Sequence, residues 1–178
     1  MSTLESRCLE SFPDWLRTLA GDAGALAALL DSTENEALVQ AAARGLTYLS
    51  KSLDLIPDGL EELGYVDDAF VLRVAAARVP EPERAEDESG SIGRLAADAE
   101  LIREFLGDEY ARLEAFVENL GSASARGRSV EEASSNPEAR SALASDVRAW
   151  AAGYQCPSFS RDAKNLVKLH SFMKHKLP

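Results

Sequence analysis

Apolar residues recur every three or four positions along most of this chain, the spacing that puts them on one side of a helix. The stretch FPDWLRTLAG (12–21) predicts a short helix ending at Gly21. DAGALAALLD (22–31) predicts a second, capped by Asp22 and apolar at Leu26, Leu29 and Leu30. STENEALVQAAARGLTYLSK (32–51) predicts a third, with Ser32 or Thr33 as cap and Leu38, Ala42, Leu46 and Leu49 on one face. After a corner at 52–67, the run 67–79 is apolar almost all round, the pattern of a helix in the centre of a fold. Pro80 and Pro82 end it.

Residues 81–90 are acidic and punctuated by Pro and Gly, and read as an exposed linker. A long amphipathic helix is predicted over 91–121, with Gly107 marking a kink. A small-residue loop (122–136) follows. Asn136 then caps a helix over 137–153 whose first residue is Pro137, and whose apolar positions are Ala139, Leu143, Val147 and Trp150. A last helix covers 160–176, starting at Ser160. No strand alternation of useful length and no repeat is present. The expectation is an all-α, compact bundle of about seven helices with a central buried helix at 67–79. It divides into a helical domain (1–80), an acidic linker (81–90) and a helical C-terminal region (91–178) packed on the first.

Composition narrows the function classes. The 178 residues are enough to bury a core without disulfide or metal. Aromatics are only 7%, which suits close-packed helices. The net charge of −11 and pI near 4.7 argue against nucleic acid as a partner. Cys8 and Cys156 are isolated, with no CxxC and no cysteine–histidine cluster, so no zinc signature exists. The start is polar, and the most apolar run, 69–79, is broken by Arg73 and far short of a span of roughly 20 residues. A cytoplasmic protein with reduced thiols and no transmembrane segment is expected. Phosphate-loop, GxGxxG and GxSxG patterns are absent.

The chemistry concentrates in SLDLIPDGLEELGYVDDAF (52–70). Two readings of its aspartates compete. In the structural one, Asp58 and Glu61 form a capping box over a short helical turn (58–64), and Gly64 ends that turn at positive φ. Asp54 caps the Leu55–Pro57 segment, and Asp67 caps the helix starting at Asp68. In the other, Asp54, Asp58, Asp67 and Asp68 gather oxygen ligands for a hard cation such as Mg²⁺, Mn²⁺ or Ca²⁺. The spacing is not that of an EF-hand loop.

The same corner resembles the YkvA-like family, a bacterial domain of unknown function. Asp54, Leu55, Ile56, Pro57 and Asp58 match its first block, and Gly64, Tyr65, Asp67 and Asp68 its second, with Val66 in place of leucine. Ser52 stands where the family has proline. The resemblance covers residues 37–79 and implies a small helical domain without an established activity. Some relatives are membrane-associated, but this chain lacks an apolar span.

Charge inverts at the other end. Residues 153–178 carry five lysines and arginines against one aspartate, a balance of +4 that leaves −15 for the remainder. Leu166, Val167, Leu169, Phe172 and Met173 give this segment an apolar face. Lys164, Lys168, Phe172, Lys174 and Lys176 are the candidates for binding a protein partner, unless the basic helix simply docks on the acidic body. His170 and His175 are spaced as exposed residues, and Trp15 and Trp150 as core. The leading expectation is a non-enzymatic interaction, adaptor or regulatory protein. The alternatives are a divalent-metal protein or metal-dependent enzyme at the aspartate corner, and a peripheral membrane protein using the basic helix.

Overall fold

The computed structural model describes residues 2–50, 54–122, 124–125 and 128–178. The fold is all-α, and among the described residues seven helices have ten residues or more. They are not divided as the periodicity suggests. Helix α1 (Leu4–Ser32) runs unbroken through Pro13, Gly21 and Asp22, merging the two helices expected at 12–21 and 22–31. Its buried stripe of Cys8, Phe12, Leu16, Leu19, Ala23, Leu26 and Leu30 steps by three or four throughout, so packing favours continuity across Gly21. Helix α2 (Glu36–Leu49) is capped by Asn35, whose side chain accepts from Leu38 N at 3.1 Å, not by Ser32 or Thr33. Thr33 instead accepts from Asn35 N through its Oγ1 at 3.2 Å.

Helix α3 (Val66–Ala77) is the expected central helix, buried at every position up to Ala76. The segment expected as a linker carries structure. Helix α4 (Glu81–Arg84) sends Arg84 back to the carbonyls of Val79 and Ala77, at 2.8 and 3.0 Å, closing the end of α3. Asp87 is buried and accepts from Ile92 N at 2.8 Å, which secures the start of α5 (Ser91–Leu106). The long helix expected over 91–121 is broken, not merely kinked, at Gly107. That residue takes φ 56° and leads through a 3-10 turn into α6 (Tyr110–Asn119).

The loop expected at 122–136 holds a two-residue antiparallel pair, β1 (Ser124–Ala125) with β2 (Arg128–Ser129), and a short helix α7 (Val130–Ser135). Ser129 caps α7 by accepting from Glu132 N at 3.0 Å, a serine–glutamate capping spacing readable in the sequence. Helix α8 (Pro137–Gly153) starts as expected, with Asn136 accepting from Glu138 N and Ala139 N. Helix α9 (Ala163–Lys176) starts at an Asp162 cap, not at Ser160.

Helix α1 packs along α8, α3 packs against α2 and α5, and α9 lies on α1. One apolar cluster draws on both sides of 81–90, with Leu16, Leu46 and Phe70 alongside Leu95, Leu143 and Leu169. Cys8 and Cys156 are free thiols, and burial pushes Cys8 up to about 11, far from a reactive thiolate. No helix among the described residues is long and apolar enough to cross a membrane.

The core also holds a buried charge network that the sequence does not announce. Arg73, on α3, is 0% exposed. Its Nε donates to Asp98 at 3.1 Å, its Nη1 to the Ala69 carbonyl at 3.1 Å, and its guanidinium lies 4.2 Å from the Trp15 ring. Asp22 joins Arg73 at 3.5 Å to Arg94 at 2.6 Å and also accepts from Thr18. Asp22, expected as a helix cap, is therefore an interior acid in mid-helix.

A candidate cation site at the acidic corner

Over residues 57–65 the chain folds in successive turns rather than the helical turn expected at 58–64. Amide hydrogen bonds from Leu60 to Pro57, Leu63 to Leu60, and Gly64 to Leu60 close them. No capping bond between Asp58 and Glu61 forms among the described residues. The positive φ expected at Gly64 falls instead on Glu62 (67°) and Tyr65 (66°). Gly64 serves close approach: an added Cβ would collide with the Asp58 carbonyl oxygen and lie 3.1 Å from its carbonyl carbon. Gly64→Ala is expected to cost about 1–3 kcal/mol in urea denaturation, because backbone must shift. A loss within error would show that the corner yields freely. The Tyr65 ring is held by Tyr154 and Trp150, with centroids 5.3 and 6.0 Å away.

These turns deliver the aspartates. Asp67 and Asp68 sit in the first turn of α3, 0% and 2% exposed. Asp67 does not cap that helix; Tyr65 stands at the cap position and makes no capping bond with its side chain. The Oδ2 of Asp67 instead accepts from the Tyr48 hydroxyl and from Ile56 N at 3.2 Å. Tyr48 in turn accepts from Leu55 N at 2.8 Å, so the end of α2, the Leu55–Ile56 segment and α3 are joined through one carboxylate. One oxygen from each of Asp54, Asp67 and Asp68 lies within 4.8 Å of the others. Asp58 is not in this group: it is exposed, and its carboxyl meets Asp54 and Tyr65 at the rim. Pro57 is exposed on the outside of the turn. Ser52, the departure from the family pattern, lies outside the described residues.

The electrostatics follow from burial. Desolvation pushes Asp67 up to about 6, against the pull of its bonds from Tyr48 and Ile56. Desolvation and then the charges of Asp67, Asp54 and Asp58 hold Asp68 well above the usual carboxylate range. Burial, then the Asp67 charge, raises the Tyr48 hydroxyl, so it remains a donor. Asp67 Oδ1 and Asp68 Oδ2 are buried and find no hydrogen-bond partner among the described residues.

The sequence points to all three grouped acids, with Asp58 as a fourth that the structure leaves at the rim, but not to Tyr48 as part of the site. Its signal is its place at the head of YLSKSLDLIPD (48–58), six residues before Asp54. At the far end, Lys164, Lys168, Lys174 and Lys176 are exposed and Phe172 is half-buried. Val167 points to solvent at 70% exposure rather than joining the apolar face, and His170 is half-buried against Phe105.

The fold and corner define an all-α domain with a buried acidic turn at its centre. Residues 41–73 match the family model described as a protein of unknown function (DUF1232), a stretch that runs from α2 through the corner into α3. The YkvA-like resemblance is consistent with that family over this part of the chain. Comparison with curated proteins and with solved structures finds no match.

Proposed function

We propose that this protein binds one divalent cation at the corner, through Asp54, Asp67 and Asp68. One observation carries the reading: Asp67 Oδ1 and Asp68 Oδ2 are buried without a partner among the described residues, on two of three acids that each bring one oxygen within 4.8 Å of the others. Burying unpaired carboxylates costs several kcal/mol, a cost that a cation or protons must offset. Oxygens at this separation fit around a single ion with ligand distances of about 2.0–2.6 Å. An all-oxygen, carboxylate-rich donor set suits Mg²⁺, Mn²⁺ or Ca²⁺ better than Zn²⁺. Tyr48 and Ile56 hold Oδ2 of Asp67, which leaves Oδ1 as its unengaged oxygen. Because Asp67 and Asp68 are enclosed, the ion's role is to tie α2, the corner and α3 together.

The test is a thermal melt after EDTA, then with about 1 mM of each cation. An ion present at about 100 times its Kd adds roughly 2.7 kcal/mol, a rise of about 5–10 °C for a chain of this size. Asp68→Asn is expected to abolish the rise, while Asp58→Asn keeps it. If no cation raises the melt, or Asp68→Asn responds like wild type, the proposal is wrong.

A further inference from the structure

All four lysines among the described residues, Lys164, Lys168, Lys174 and Lys176, lie on α9. None of them makes an ion pair among the described residues. Most of the described arginines behave differently: Arg7, Arg73, Arg94, Arg112, Arg128 and Arg148, among others, each reach an acid. The basic helix therefore does not dock on the acidic body through its charge. It is seated by Leu166, Leu169, Met173 and Leu177, spaced three or four apart and all buried. Asn165 Nδ2 donates to the Glu62 carbonyl at 3.1 Å, and Arg112 holds the carbonyls of Leu177 and Pro178. The inner face is fixed, and the outer face keeps its charge.

That outer face has a definite layout. Lys164, Lys168, Ser171 and His175 succeed one another at helical spacing, with Val167 beside them. Between Lys168, Phe172, His175 and Lys176 lies a shallow, mainly apolar groove of about 350 Å³. The Lys176 ammonium is 5.8 Å from the Phe172 ring centre, close enough for its stem to line the groove.

We infer that the outer face of α9 is a docking surface for an acidic protein segment that places an apolar side chain in the Phe172 groove and its carboxylates among the lysines. Charge complementarity identifies the partner's sign. Shape separates a segment from a membrane. A flat anionic bilayer would face the remainder of the chain, at −15, as well as α9, whereas a strand or helix meets α9 alone. Val167 and the half-buried Phe172 offer little apolar surface for insertion. This inference is independent of the cation reading.

The experiment uses the full chain, with EDTA present, and two probes. One is a fluorescent peptide of about twelve Glu and Asp residues around a central leucine, at about 50 mM NaCl. The other is vesicles of phosphatidylserine and phosphatidylcholine. Peptide binding is expected to weaken about tenfold in the Lys168→Gln/Lys176→Gln variant and again at high salt, with Asp68→Asn unaffected. The substituted lysines are exposed, so the melt should not move. A central alanine in place of leucine is expected to weaken binding through the groove. Absence of peptide binding, equal binding by the lysine variant, or binding to vesicles alone would each overturn the proposal.

Discussion

Arg73→Ala is expected to lower the stability of the protein by about 3–5 kcal/mol, the range for removing one partner of a buried charge network. The guanidinium is fully buried and serves Asp22, Asp98 and the Ala69 carbonyl together. Removing it strands Asp98 and half of Asp22 and leaves a void beneath Trp15. Burial already pulls the Arg73 pKa down, and Asp22 and Asp98 push it back. Asp22 keeps Arg94, so it is not left without a counter-charge. A double-mutant cycle with Asp22→Ala is the informative form, since a shared network gives a double loss well below the sum of the single losses. A single-variant loss under about 1 kcal/mol would show that the core relaxes around the missing charge.

Cation-free protein is expected to become more stable as the pH falls from about 8 to about 5, opposite to ordinary acid denaturation. Asp67 is pushed up to about 6, and Asp68 is raised with it. Between the unfolded carboxylate value of about 3.9 and the folded value, the native state binds more protons than the unfolded chain. Unfolding free energy therefore falls as pH rises through that window. Between pH 8 and pH 5 the raised Asp67 alone contributes on the order of 1 kcal/mol, since pH 5 lies about one unit below its folded value, and Asp68 adds in the same direction. Urea titrations in EDTA at the two pH values measure it, with Asp67→Asn/Asp68→Asn as the reference that removes the acids. The wild type should gain on acidification relative to that variant. If the two respond alike, the corner acids are already neutralised at both pH values.

The two predictions fall where sequence reading was least complete. Asp22 looked like a helix cap because it follows Gly21, and a cap is what an aspartate at such a place usually supplies. In the folded chain, α1 continues, and the same carboxylate turns inward to Arg73 and Arg94, 51 and 72 residues away. Its place at the end of a turn marks Gly64 as a positive-φ position, but Glu62 and Tyr65 take that conformation and Gly64 admits the Asp58 carbonyl. Asp67 has the sequence position of a cap and instead anchors Tyr48 and Ile56. In each case the residue type was informative, and its partner was not.

The sequence by itself determined what neighbours within a few residues decide. The helical period, the all-round apolar run of α3, Asn136–Pro137 opening α8 and some irregularity at Gly107, though not its full break, follow from local sterics and hydrogen bonding. It also brought Asp54, Asp67 and Asp68 to notice by their density in one corner. Only the tertiary structure decided which acids converge, that Asp58 stays at the rim, that Arg73 is an interior ion, and that the lysines of α9 are exposed, without an ion pair among the described residues. The physical reason is range. Periodicity and capping act over one turn of chain, whereas the partner of a buried charge is chosen by desolvation, and desolvation depends on segments far apart in sequence that packing brings together.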